Sequence, residues 1–546
     1  MASPRRRGPT WVWDYLLPPV VYLACFTLLT WPALRWFSSA YMLGSDDGFQ
    51  NIWNLWWVDK SLTQLHQSPF YTTWLHAPAG TTLVGHTLNP FNGLLAIPLR
   101  RVMSPEATYN TIIVFSFVVG GWTTYALARA VSGSRAGALL AGFLFTFSAF
   151  HFAHATSHLQ LVALEWVPLC LLGLLRLMEK PMLPRALAAA GAVLLVALCD
   201  YYYLLYSAIA GVLLYAVMAG AKRDIAFGLR RPHVVPLLAL VAASLATTGV
   251  LVAQVIIANQ RDPFFGAHSA TIYYTDLLAP FIPGGSWVFH TWTERYWSVF
   301  PAGWVEMSVY VGWGAIVLAV IAWRRRRESA APTAVAWCVV MALVFFVLSL
   351  GPELRVWGLK TGGPMPYALL ERFVPIFRLS GLPVRMMVMV SLALAVLAAC
   401  GWAALARSPA SPRRNLIMAA LLGLIIFETW PRPLPITSHP IPAWVHALQD
   451  LPPGSYIDAH THPAHSLYYQ TIHEKPFAFG YISREPASVA TEKLRKLLAA
   501  RTGDVATLRS AWGFDYFVTP ATMDVPAATI VYDDGETRIY SLRPSL

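Results

Sequence analysis

Long apolar runs separated by short basic or aromatic connections set the pattern of the first 430 residues. Taking about 17 to 25 apolar residues as one helical crossing of a bilayer gives about eleven spans, at 14–36, 107–130, 136–151, 160–178, 184–199, 202–220, 233–257, 304–323, 332–350, 384–406 and 414–430. A further run, Pro90–Leu99, is too brief to cross and reads as a re-entrant or surface helix. Behind a capping Asp46, the polar residues Asp47, Gln50, Asn51 and Asn54 recur at i, i+3, i+4 and i+7, with Ile52, Leu55 and Trp56 opposite. That spacing predicts an amphipathic helix at the membrane surface, its polar side in water. After Pro431 the pattern changes. Prolines 431, 433, 435, 440 and 442 form an extended connector, then alternating segments predict strands at 455–458, 514–519, 529–532 and 537–541, with helices at 486–498 and 504–512. The chain therefore divides into a transmembrane part, 1–430, with an outer-face loop at 37–105, and a small soluble α/β domain, 431–546.

Composition agrees. Hydrophobic residues make up 56% of the chain and charged ones 12%, against roughly 25% charged in soluble domains. The net charge of +12 comes mostly from short clusters: Arg5 to Arg7, Arg129 with Arg135, Arg176 with Lys180 and Arg185, Lys222 with Arg223, Arg230 and Arg231, arginines 324–327, and Arg407 with Arg413 and Arg414. These fall on alternate connections, so the positive-inside rule puts the N-terminus in the cytoplasm and, with an odd number of spans, the C-terminal domain outside. Clusters that orient a protein in a bilayer leave no basic surface for nucleic acid. The first apolar run is longer than a signal-peptide core and lacks a small-residue cleavage site, so it reads as a retained span. All five cysteines lie in or at the end of apolar runs and imply no disulfide framework.

Acids, histidines and tyrosines gather on the connections assigned to the outer face, which points to a site there. Asp46 and Asp47 open the first-loop helix and could act as base or metal ligands. His151, His154 and His158 share one helical stripe, suited to a metal, a diphosphate or lipid headgroups. Glu165 lies inside a span, where it pairs with a neighbouring helix or serves a function. Asp200 precedes Tyr201, Tyr202 and Tyr203 at a tight outer turn, and a carboxylate at that depth needs water, a cation or a donor. Arg378 and Arg385 flank a Ser-Gly-Leu-Pro turn on the side where few basic residues are expected, and a guanidinium fork there suits a phosphate. The tail's His460-Thr461-His462 mimics a metallo-amidohydrolase strand, but that chemistry needs a barrel of about 250 residues; a surface loop is the better reading. No Walker loop, dinucleotide fingerprint or nucleophile elbow is present.

The arrangement resembles the GT-C class of integral membrane glycosyltransferases and, within it, bacterial YfhO-like and mannosyltransferase-like membrane proteins. The resemblance rests on Asp46-Asp47 with Gln50 and Trp53, on 86–98 (HTLNPFNGLLAIP), 151–166, 200–206 and 348–385, and on 468–476 and 480–484 in the tail. It implies a multi-pass protein of the inner (plasma) membrane that transfers a sugar from a polyprenyl-phosphate donor to a glycan, lipid or protein acceptor at the outer face, with inversion. Asp46 or Asp47 would be the general base, and Arg378 or Arg385 would hold the lipid phosphate. Gln50, Asn51, Trp53, His86, Asn89, His151, His154, His158, Asp200 and Tyr201 complete the expected substrate site. A divalent cation is compatible with it, with Asp47, His154 and His158 as candidate ligands. Two rivals from other classes are a flippase for lipid-linked glycans, which would need more polar residues within spans, and a non-catalytic membrane scaffold.

Overall fold

The computed structural model describes residues 11–301, 303–526 and 528–543; the basic cluster Arg5, Arg6 and Arg7 lies outside them. The chain divides into two compact units. One comprises the chain up to Phe37, Asn110–Gly249 and Ala267–Ile436; the other comprises Ser38–Tyr109, Val250–Gly266 and the chain from Thr437.

Every expected apolar run is helical over most or part of its length. Among the described residues six helices are long and apolar enough to cross a membrane: Val12–Leu34, Pro105–Ser132, Leu159–Glu179, Tyr201–Lys222, Pro332–Ser349 and Pro383–Arg407. Two bent pairs bring the number to eight. The chain is a multi-pass membrane protein. Three expected spans differ from the rest. Leu183–Cys199 and Trp313–Arg324 are shorter apolar helices, and Pro412–Thr429 carries Arg413, Arg414 and Glu428.

The breaks have local causes. Arg135–Thr146 meets Ala149–Ala155 at 43° because the Ser148 hydroxyl accepts the N–H of His151 and starts a new helix. In the run expected at 304–323, the turn Gly303–Glu306 is separated from Trp313–Arg324. There the Glu428 carboxylate accepts the N–H groups of Trp313 (3.0 Å) and Gly314 (3.2 Å), so a side chain from another helix satisfies the new N-terminus.

At the centre of the first unit stands Met387–Arg407, packed against Trp313–Arg324, Arg135–Thr146 and Pro332–Ser349. Small residues let the backbones touch. A Cβ on Gly401 would lie 2.0 Å from the Leu318 carbonyl oxygen, and one on Gly137 would lie 2.5 Å from that of Ala399.

The second unit is α/β. Its four-stranded sheet runs in the order Tyr456–Asp458, Tyr516–Pro520, Thr537–Ser541, Thr529–Asp533. Ile457 lies beside Phe517 in the parallel pair, and Ile539 stands opposite Val518 and Tyr532 in the antiparallel ones.

In the same unit the first-loop helix, Asp47–Thr63, is buried from Gly48 to Ser61. This corrects the expectation of a surface helix with a wet polar side. Trp53 and Trp57 stack at 5.6 Å in a core with Trp56, Val58, Leu75, Leu83, Leu88 and Leu467. On the polar face Gln50 donates to the Tyr481 carbonyl (2.6 Å) and Asn54 to that of Thr87 (2.9 Å). The amphipathic pattern thus separates apolar contacts from hydrogen-bonded ones, with protein on both sides. Pro90–Leu99 crosses the helix closely enough that a Cβ on Gly93 would lie 2.5 Å from that of Val58.

Emptying this core is costly. Trp57→Ala should destabilise the second unit by about 3–5 kcal/mol, seen as a lower thermal unfolding midpoint in detergent. Val102→Ala, at a 78% exposed position, should leave the midpoint unchanged.

Candidate functional site

In the second unit the site begins at the two acids. Asp46 has helical backbone angles (φ −62°, ψ −26°) and makes no side-chain capping bond, contrary to the expected cap. Its carboxylate instead meets two tail histidines: Oδ1 is 3.3 Å from His465 Nε2, and Oδ2 is 3.7 Å from His462 Nδ1. The tail's own sequence puts those rings there. Asp458 Oδ1 accepts the N–H groups of His460 (2.8 Å) and Thr461 (3.1 Å), turning the chain after its strand. Pro463 then starts the helix Pro463–His473, leaving His462 at its N-cap and His465 one turn on. Asp47 is held differently, by a 2.6 Å hydrogen bond from the Tyr481 hydroxyl. Burial and this bond push the Tyr481 hydroxyl above its ordinary pKa.

The other residues expected in this region form the support beneath the acids. Gln50 Oε1 accepts from the Thr87 hydroxyl (3.1 Å), and Asn51 donates to the Asp47 carbonyl (3.1 Å). Trp53 is fully buried, its N–H donated to Gln470 Oε1 at 2.7 Å. His86 is satisfied at both nitrogens, with Nε2 2.9 Å from Asn54 Oδ1 and Nδ1 accepting the Ser483 N–H at 3.1 Å. That pattern fixes a neutral ring, and burial pushes its pKa down to about 3. Asn89 sits at φ +46° and caps Pro90–Leu99 through the Asn92 N–H (2.9 Å).

The first unit brings together a different set. His151 does not continue a stripe to His158, because its helix ends at Ala155. It is buried, stacks on Phe117 at 3.9 Å, and lies 2.7 Å from the Thr146 carbonyl through Nδ1 and 2.9 Å from that of Val162 through Nε2. His154 and His158 still meet, Nδ1 to Nδ1 at 3.2 Å, beside Glu306. Arg385 grips Glu306 with both arms, Nε to Oε2 at 3.1 Å and Nη2 to Oε1 at 2.5 Å, and lies over the Tyr202 ring. With both Glu306 oxygens engaged and a guanidinium adjacent, this cluster is a poor host for a divalent cation. Asp200 is the N-cap of Tyr201–Lys222, accepting the N–H groups of Tyr202 (2.7 Å) and Tyr203 (3.4 Å); Tyr201 follows it, half-buried. Arg378 is exposed on the short helix Pro375–Ser380. Glu165 accepts from the Ser116 hydroxyl at 2.7 Å.

Three residues escaped the sequence reading. Glu306 carried the same signal as Glu165, an acid within an apolar run. His462 falls in a stretch whose sequence reads as a surface loop, and His465 carries no sequence signal of its own.

By superposition the chain has the fold of the GT-C class of membrane glycosyltransferases. The arabinofuranosyltransferase AftD from Mycobacteria superposes with a TM-score of 0.56 at 16% identity, covering 96% of this chain and 41% of its own. This chain thus spans under half of that protein's length. The archaeal oligosaccharyltransferase AglB from Archaeoglobus fulgidus, solved with an inhibitory peptide and a dolichol-phosphate, gives 0.48 at 10% identity, covering 98% and 75%. ArnT from Cupriavidus metallidurans gives 0.47 at 13%, covering 96% and 97%. The family model described as Domain of unknown function (DUF6311) matches residues 19–429, and the chain belongs to that family. No curated protein matches it in sequence.

The buried histidines make the second unit acid-sensitive. His76, His86 and His473 are each pushed down to about 3 by burial, with lysines nearby adding to the effect at His76 and His473. They stay neutral in the folded state where the unfolded chain, with histidine pKa near ~6.5, takes up protons. Their contribution to stability is therefore complete above about pH 6.5 and is lost as pH falls toward 3. His86→Gln should lose less of its unfolding midpoint than wild type between pH 7 and pH 4.5, measured by thermal denaturation.

Proposed function

We propose that the chain is a glycosyltransferase that moves a sugar from a polyprenyl-phosphate donor to a glycan, lipid or protein acceptor at the outer face of the cell's inner membrane. The observation that carries this reading is the acid pair Asp46-Asp47 at the start of the first-loop helix, in a chain of GT-C fold. One of the two carboxylates takes the proton of the acceptor hydroxyl as its oxygen attacks the anomeric carbon. The bond from that carbon to the lipid phosphate breaks, its electron pair leaves with the phosphate, and attack from the opposite side inverts the centre. A cation must meet the charge on the departing phosphate. Of the two arginines that the resemblance suggests for a lipid phosphate, both in the first unit, Arg378 is exposed while the Arg385 fork is already matched by Glu306. His154 Nε2 is buried without a hydrogen-bond partner, which leaves it a donor or acceptor for a ligand in the first unit.

The test is consumption of polyprenyl-phosphate sugar by the detergent-solubilised protein, followed by mass spectrometry. Asp47→Asn should lower turnover by about 10²–10⁴-fold, and Tyr481→Phe by less, since it loosens the carboxylate without removing it. Full turnover in both Asp46→Asn and Asp47→Asn would remove the acid pair from the mechanism. Binding without consumption by any form would favour a flippase.

A further inference from the structure

Asp46, His462 and His465 offer one ligand atom each, all within 4.8 Å of one another. Two atoms bound about 2.1 Å from a tetrahedral metal ion stand about 3.4 Å apart. The closest approaches of the Asp46 carboxylate, Oδ1 to His465 Nε2 at 3.3 Å and Oδ2 to His462 Nδ1 at 3.7 Å, use different oxygens and are close to that value, and one atom from each of the three residues lies within 4.8 Å of the others. The three side chains are also reachable: those of Asp46 and His462 are half exposed, and that of His465 is 28% exposed. The rings are oriented from behind. His465 packs edge-on against Phe49 (5.1 Å between centroids) and lies 4.6 Å from His439, whose Nε2 is 2.9 Å from the Tyr469 hydroxyl. The His462 backbone is set by the Asp458 turn and by Pro463.

We propose that Asp46, His462 and His465 form a divalent transition-metal site with zinc as the best-matched ion. Two imidazoles and one carboxylate are a borderline donor set, which favours zinc over magnesium or calcium. Three protein ligands leave a fourth position for water or for an oxygen of a bound phosphate or hydroxyl. The site ties the start of the first-loop helix to the tail helix, so the ion also fastens the second unit. None of this depends on the transferase reading. One consequence does rest on it: with Asp46 engaged as a ligand, Asp47 is the carboxylate left to act as base.

The full chain, purified without a polyhistidine tag and stripped with a chelator, is titrated with zinc chloride by calorimetry, and bound metal is counted by mass spectrometry. Wild type should bind one zinc per chain. Asp46→Asn should weaken binding by at least about tenfold, His462→Ala with His465→Ala should abolish it, and His154→Ala with His158→Ala should retain it. Cobalt(II) in place of zinc should give the intense visible bands of a four-coordinate ion in wild type, which provides an answer even if the double variant folds poorly. No binding by wild type, unchanged affinity in the His462/His465 variant, or the weak spectrum of six-coordinate cobalt would each overturn the proposal. Loss of zinc with sugar transfer unaffected would leave the metal site standing and remove its link to catalysis.

Discussion

A backbone group set free where a helix breaks in apolar surroundings has no water to turn to, and the side chains that satisfy such groups shape the first unit. At the break after Thr146, the freed carbonyl lies 2.7 Å from the His151 ring, whose other nitrogen is 2.9 Å from the Val162 carbonyl. Ahead of Trp313 the opposite need arises, and Glu428 supplies acceptors for two bare N–H groups. Asp200 does the same for the helix it precedes. Each of these three helix ends is thus secured by a residue from the short list of polar side chains the apolar segments contain. Removing one would leave a buried polar group unmatched, at a cost of about 1–3 kcal/mol.

The same constraint explains which parts of the site were legible in the sequence. Periodicity located the apolar helices, the first-loop helix and the tail strands because it reports which side of an element is apolar, but not the tail helices Ala443–Asp450 and Pro463–His473. It is silent about what the polar side touches. Gln50, Asn54 and His86 stand out as polar positions, but their partners include atoms of the 80s and 480s, while Asn51 turns back to the Asp47 carbonyl. A pattern that in isolation means a membrane surface here means a helix enclosed by protein. His151 and Asp200 were likewise found, since histidine and aspartate at helix ends suit both ligands and caps; only the hydrogen bonds distinguish the two.

Pairings distant in sequence were not legible at all. Arg385 was noticed for its side of the membrane, yet the residue that decides its chemistry is Glu306, 79 positions away. A lone outer-face arginine reads as a phosphate ligand. An arginine with both arms on a buried carboxylate is part of a closed ion pair, and a phosphate would have to displace that carboxylate to bind. His462 and His465 are the reverse case: a helix cap and a residue one turn further on gain significance only because Asp46 stands 3.7 Å and 3.3 Å from them.

Asp46 and Asp47 show how the fold separates two neighbours that sequence alone leaves equivalent. Asp47 belongs to the helix and is oriented by a tyrosine hydroxyl at 2.6 Å. Asp46 precedes it, spends no oxygen on capping the backbone, and keeps its side chain half exposed beside two imidazoles. A carboxylate that must take a proton from a bound hydroxyl gains from fixed orientation, because a small misplacement costs rate steeply. A carboxylate that shares an ion gains from nearby nitrogen ligands. The two acids thus have different partners, and the difference comes from the tail, which contributes Tyr481 to one acid and His462 and His465 to the other; under the proposed transfer and metal site, that difference would divide the two tasks.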